Sequence, residues 1–176
     1  MSHPLEFIPK IVQKKVFFSL FALTLGLFGV FYLLDAPLKT DAAPNGIVSF
    51  ELAGSSEKAN AIIQSWDARA QRFAAFGLGL DYLFMPVYAL AISLGVLMAA
   101  RKHGGFFEKI GAYIGWGALL AALFDAVENL ALWQLLNGTT TALSPSIAFF
   151  AATIKFFLIL VGIFFALTGW FLPKKI

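Results

Sequence analysis

The chain contains no cysteine, only two histidines, and few charges: 13% of its 176 residues are Asp, Glu, Lys or Arg. Without cysteine there is no disulfide framework, no thiolate metal site and no thiol nucleophile. The histidines, His3 and His103, both lie outside the long apolar runs, which argues against a histidine-based metal centre within them. Soluble domains carry about 25% charged residues, so this deficit excludes an ordinary aqueous exterior. Phosphate-cradling loops, nucleophile elbows and dinucleotide-binding glycine fingerprints are also missing, and Gly77-x-Gly79 is too little for a nucleotide site. No basic block or basic amphipathic helix points to nucleic acid.

Apolar residues dominate instead. They make up 60% of the chain, aromatics 16%, and the mean hydropathy is +0.81. The net charge is +3 and the pI about 9.2. Such a composition describes one small membrane domain.

Four stretches can cross roughly 30 Å of hydrocarbon, which needs about 20 residues. They are Val16–Leu34, Phe76–Ala100, Ile110–Leu136 and Ile147–Leu172. Helices are expected, because too few segments exist to close a barrel and buried backbone groups must pair internally. The first run exceeds the apolar core of a signal peptide, so it reads as a retained helix.

Orientation follows from the basic residues flanking the spans. Lys10, Lys14, Lys15, Arg101, Lys102, Lys109, Lys174 and Lys175 fall on one side. Lys39, Lys58, Arg69 and Arg72 fall on the other, and Lys155 lies within a span. Eight against four places both termini in the cytoplasm.

The long connection between spans one and two, residues 35–75, is then extracytoplasmic. Ala36-Pro37 and Ala43-Pro44-Asn45-Gly46 mark turns. Ser55–Phe76 reads as a helix with Ser55 or Ser56 as N-cap and Glu57 in its first turn. Ile62, Ile63, Trp66, Ala70 and Phe73 share one face, opposite Asn60, Gln64, Asp67 and Gln71. That pattern suits a helix in the membrane interface or a cap over the bundle mouth. Gly77 and Gly79 offer a bend before the second span. Short loops at 101–109 and 137–146 predict antiparallel neighbours, hence an all-α, up-down four-helix bundle. Asn137-Gly138-Thr139 matches a glycosylation sequon, which matters only in a eukaryotic secretory pathway. Gly111-x-x-x-Gly115 and the alanines at 118, 122 and 126 allow close helix packing. Trp66, Trp116, Trp133 and Trp170 suit aromatic belts better than cofactor stacking.

The informative residues are the polar ones within the spans: Asp81, Tyr88, Asp125, Glu128, Asn129 and Lys155. A charged side chain costs on the order of 2.5–3.5 kcal/mol at a helix centre on insertion scales, so something must compensate it. At 1.5 Å per residue, Glu128 and Lys155 lie about 12 Å from the outer ends of their spans and Asp125 about 16 Å, with Tyr88 at a similar depth. Asp125, Glu128 and Asn129 share one helix face at i, i+3 and i+4, and Asp81 and Tyr88 share another at i and i+7. Pro86 removes a backbone hydrogen bond one turn past Asp81, and a kink is expected there.

If these faces meet, an acidic pocket forms toward the outer leaflet. Three carboxylates then face a single lysine. The expected occupant is a lipid or an amphipathic, amine-bearing small molecule. An intramembrane enzyme is a further reading, with Asp125 and Glu128 donating and accepting protons. The structural alternative is a buried pairing of Lys155 with Asp125 or Glu128 and Asn129 as helix-pairing glue, in an accessory subunit of a membrane complex. A continuous ion path is disfavoured by the apolar inner half. A metal is not expected, since Lys155 opposes a cation, and no cofactor is called for. Expected partners are membrane lipids, with a second copy of the chain or another membrane protein left open.

The segments Asp81-Tyr82-Leu83-Phe84-Met85-Pro86-Val87-Tyr88 and Asp125-Ala126-Val127-Glu128-Asn129 resemble motifs of a group of small four-span bacterial membrane proteins. That resemblance implies the four-span architecture and a bacterial inner membrane, and brings no activity with it. The architecture is also loosely similar to the EXPERA fold of sterol isomerases and the sigma-2 receptor. Those four-helix proteins use intramembrane carboxylates to recognise amine-bearing or cationic molecules, a likeness of fold alone.

Overall fold

A computed structural model describes residues 1–139 and 143–173. Lys174 and Lys175, counted above for orientation, lie outside the described residues, as do positions 140–142 of the last loop. The described chain is helical, without strands. The elements are α1 (Lys10–Asp35), a 3-10 turn (Ala36–Leu38), α2 (Ile47–Glu51), α3 (Ser56–Ser65), α4 (Ala68–His103), α5 (Gly105–Leu136) and α6 (Ser144–Phe171).

The four long helices, α1, α4, α5 and α6, are long and apolar enough to cross a membrane, as an integral membrane protein requires. Their outward faces fit that solvent. On α6, Phe150, Phe157, Phe164 and Phe171 recur every seventh residue, each at least 64% exposed. A soluble protein rarely leaves so long an apolar stripe uncovered. α1 is the barest of the four, with 6% of its apolar window buried against 67% for α4.

Three local features depart from the expected outline. The helix read over Ser55–Phe76 is two elements, divided at Trp66 and Asp67. Ser55 does cap α3, its side chain accepting from the Lys58 N–H at 3.3 Å. The chain then turns extended at Trp66. The Asp67 carboxylate accepts from the Ala70 N–H at 2.7 Å and so starts α4. The Gln71 side chain donates to the carbonyls of Ile63 (3.2 Å) and Trp66 (3.1 Å), tying the end of α3 to the start of α4. Gly77 and Gly79 sit inside an unbroken α4, which also runs through Pro86. The loop expected at 101–109 is reduced to Gly104: its φ of +67° suits glycine, and its N–H donates to the Ala100 carbonyl at 3.0 Å.

The chain divides into two compact units. The first comprises Met1–Leu25, Pro86–Leu123 and the chain from Lys155 on. Its core is helix against helix at small residues. A Cβ on Gly111 would stand 2.5 Å from that of Ala100, and Gly162 and Gly169 are pressed as closely by Ile92 and Ala99. Val96, Ala99, Ala100 and Phe165 form one cluster, and Leu5, Leu94 and Leu97 another. Lys102 donates to the carbonyls of Trp170 and Leu172, both at 2.8 Å, closing the end of α6.

The second unit comprises Gly26–Met85 and Phe124–Ile154. Here the apolar face of α3 is covered by protein. Ile62, Trp66, Ala70 and Ala74 are buried with Leu38, Phe50, Leu132 and Leu135 in one cluster. Trp66 is 3% exposed, so it is no interfacial anchor. Its ring meets Phe50 edge to face, and its indole N–H donates to the Leu38 carbonyl at 2.8 Å. The turn-rich stretch before it holds α2, whose start is pinned by Asp35: Oδ1 accepts from the Ile47 N–H at 2.8 Å.

Candidate functional site

The polar residues of the second unit gather where α4 and α5 pass each other. Asp125, Glu128 and Asn129 share one buried face of α5 with Leu132 and Leu135, as their spacing predicts; Glu128 is fully enclosed. From that face the Asn129 carboxamide reaches α4. It donates to Oδ2 of Asp81 at 3.0 Å and to the Leu78 carbonyl at 3.1 Å. Both amide protons are thereby used, so one residue ties a side chain and a backbone group of the opposite helix.

Asp81 itself is only partly buried. Beside it Tyr82 is 50% exposed, and its hydroxyl donates to the Ala126 carbonyl at 3.3 Å. That hydroxyl lies within electrostatic reach of both Asp81 and Asp125. Spacing along α4 had singled out Tyr88 rather than Tyr82, because Tyr82 does not share a helical face with Asp81. A long phenol crossing to the next helix is invisible to that rule; its position directly after Asp81 was the only signal.

Tyr88 and Lys155 belong to the first unit. Tyr88 is buried on α4. Lys155 is buried on α6, its Nζ 4.7 Å from the ring centroid of Phe156. Because α6 begins at Ser144, Lys155 stands about 16 Å along it, deeper than the 12 Å read from the sequence.

No family model, curated protein or solved structure matches this chain. Its chemistry must therefore be read from its own residues. Among the described residues, no three histidine, cysteine or carboxylate side chains are grouped as a metal would need. A cavity of about 450 Å³ lies away from the acids, between α2 and α3, lined among others by Asn45, Val48, Ser49, Leu52, Lys58 and Ile62. The cluster brings together the Asp81, Asp125 and Glu128 carboxyl groups, with the Tyr82 hydroxyl beside them. Such a set suits a cationic or hydrogen-bond-donating head group.

Several buried polar residues escaped the sequence reading, among them His3, Gln13, Glu51 and Ser93. His3 is 7% exposed, although it stands in the non-helical start of the chain. Burial, then the Arg101 guanidinium, hold its imidazole down to about 4 from an ordinary 6.5. Nothing in the run Met1–Pro9 signals this, since its neighbours are distant in the sequence.

Proposed function

We propose that this protein is a four-span bundle of the bacterial inner membrane, with both termini cytoplasmic, that binds a lipid or amphipathic small molecule at Asp81, Asp125, Glu128 and Asn129. The up-down arrangement and the extracytoplasmic position of α2 and α3 are part of the same reading, supported by short connections and by the bias of basic residues. α4 supports it further. At 36 residues it is about 54 Å long, well over the roughly 30 Å of hydrocarbon. With Arg101, Lys102 and His103 held at the inner surface, Asp81 comes near the outer boundary.

The observation that carries the proposal is the bond from Asn129 to Asp81. It links a carboxylate open to the surroundings with a face of α5 where two more carboxylates are enclosed. An amine or hydroxyl head group arriving from the outer leaflet meets Asp81 and Tyr82 first, then the α5 acids, while its apolar tail stays in lipid. Buried intramembrane carboxylates are costly, and binding is a common reason for their presence.

Native mass spectrometry of the purified protein tests this. Wild-type protein should carry a co-purifying amphiphile, and Asp125→Asn and Glu128→Gln should lose it while keeping wild-type helicity. Folded variants that retain every bound molecule overturn the reading.

A second reading has its own support. Both amide protons of Asn129 are spent on α4, which is how polar side chains pair helices in a membrane. In that case the cluster serves assembly in a larger complex, and a partner membrane protein remains bound in mild detergent.

A further inference from the structure

The first nine residues precede α1 and fold into the first unit as a series of turns. Leu5 is buried against Leu94 and Leu97 of α4. His3 lies so tightly on Gly115 of α5 that a Cβ there would overlap its Nε2. The segment is held chiefly by its backbone. Trp116 Nε1 donates to the Ser2 carbonyl and Arg101 Nη2 to the Glu6 carbonyl, both at 3.1 Å. The Leu5 N–H donates to His3 Nδ1 at 3.2 Å. That bond makes Nδ1 an acceptor and leaves the ring proton on Nε2, so the docked imidazole is neutral.

The surroundings are hostile to a second proton. From α4 the ring faces the Arg101 guanidinium, which disfavours a second proton, and the Ser93 backbone, whose hydrogen bond acts more weakly in the opposite sense. From α5 it meets Gly115, and Trp116 lies beside it; neither titrates. The Glu6 side chain of the segment is exposed, as are Lys10, Lys14 and Lys15 on α1. Oγ of Ser93 and Nη1 of Arg101 are buried without hydrogen-bond partners, and neither is an anion. Protonating His3 would break the Leu5 bond and place an imidazolium beside a guanidinium.

We propose that residues 1–9 form an acid-released plug, seated on α4 and α5 while His3 is neutral and expelled when it is protonated. Release uncovers the Ser93 hydroxyl, the Arg101 guanidinium and the Gly115 surface. The imidazole titrates near about 4 when docked and near its ordinary 6.5 when free. Docking is therefore complete above the free value and is lost as the pH falls toward the docked one. At pH 5 the docking equilibrium is weaker by about 30-fold than at neutral pH.

Amide hydrogen exchange on the full chain in lipid nanodiscs tests this. After correction for intrinsic rates, protection of the Leu5 and Glu6 amides should fall about 30-fold between pH 7.5 and pH 5. His3→Asn keeps a side-chain acceptor for the Leu5 N–H but does not titrate, and its protection should be equal at both pH values. Gly115→Ala should leave the segment unprotected at both. Wild-type protection that survives at pH 5 overturns the proposal, as does an Asn variant that loses protection with acid like the wild type. A His3 imidazole titrating near 6.5 in the intact chain, followed by NMR, overturns it as well.

Discussion

Asn129 on α5 donates to the carboxylate of Asp81 on α4 across 3.0 Å, and its other amide proton goes to the Leu78 carbonyl of the same helix. Asn129 is 2% exposed, so no solvent replaces either bond if it is lost. The pair therefore joins two long helices at the level where the carboxylates of the second unit collect.

Asn129→Ala should lower the unfolding free energy by about 1–3 kcal/mol, the cost of leaving buried polar partners unmade. The measurement is a chemical or thermal unfolding curve in detergent. A change below about 0.5 kcal/mol would show that the two bonds contribute little net stability.

Trp66 holds the folded connection between α1 and α4. Trp66→Phe removes the N–H that reaches the Leu38 carbonyl together with one ring of the indole, and should cost about 1–3 kcal/mol. Trp66→Ala also empties the space against Phe50 and should cost about 3–5 kcal/mol. Limited proteolysis within residues 36–66 should accelerate in that order.

Glycines of the long helices should divide sharply by position. Gly111→Ala drives a Cβ against Ala100 and Phe165 and should destabilise by about 1–3 kcal/mol. Gly77→Ala meets nothing within 4 Å inside a continuous helix and should stabilise by about 0.5–1 kcal/mol. Melting temperatures moving in opposite directions check both. A loss at Gly77 would mean that the helix bends there.

Gly46 takes a φ of +57° directly against the Asp35 carboxylate, where a side chain would collide. Gly46→Ala should therefore cost about 1–3 kcal/mol, from the strained backbone together with the displaced carboxylate. Asp35→Ala should free the start of α2 by removing the acceptor of the Ile47 N–H. Faster hydrogen exchange at Ile47 reads that loss directly.

Much of this was legible in the sequence because it depends on local pattern. The four long apolar runs set the four long helices, since a spanning length of hydrocarbon-like side chains leaves the backbone little choice. The i, i+3, i+4 spacing put Asp125, Glu128 and Asn129 on one face, because helical geometry fixes that relation before any packing occurs. The break at Trp66 was written in Asp67 but hidden by an amphipathic face that continues through it from Ile62 to Phe73.

Tertiary structure decided the rest. No period in the sequence relates Asn129 to Asp81, Trp66 to Leu38, or His3 to Gly115 and Arg101. Each is a meeting of segments far apart in the chain, set by which side chains fit together once the helices pack. The scarcity of cysteine, histidine and charge excluded whole classes of chemistry at the outset, because a missing side chain cannot be supplied by folding. What the few remaining polar groups do depends on their neighbours: His3, one of only two histidines, owes its burial to residues that the fold brings to it.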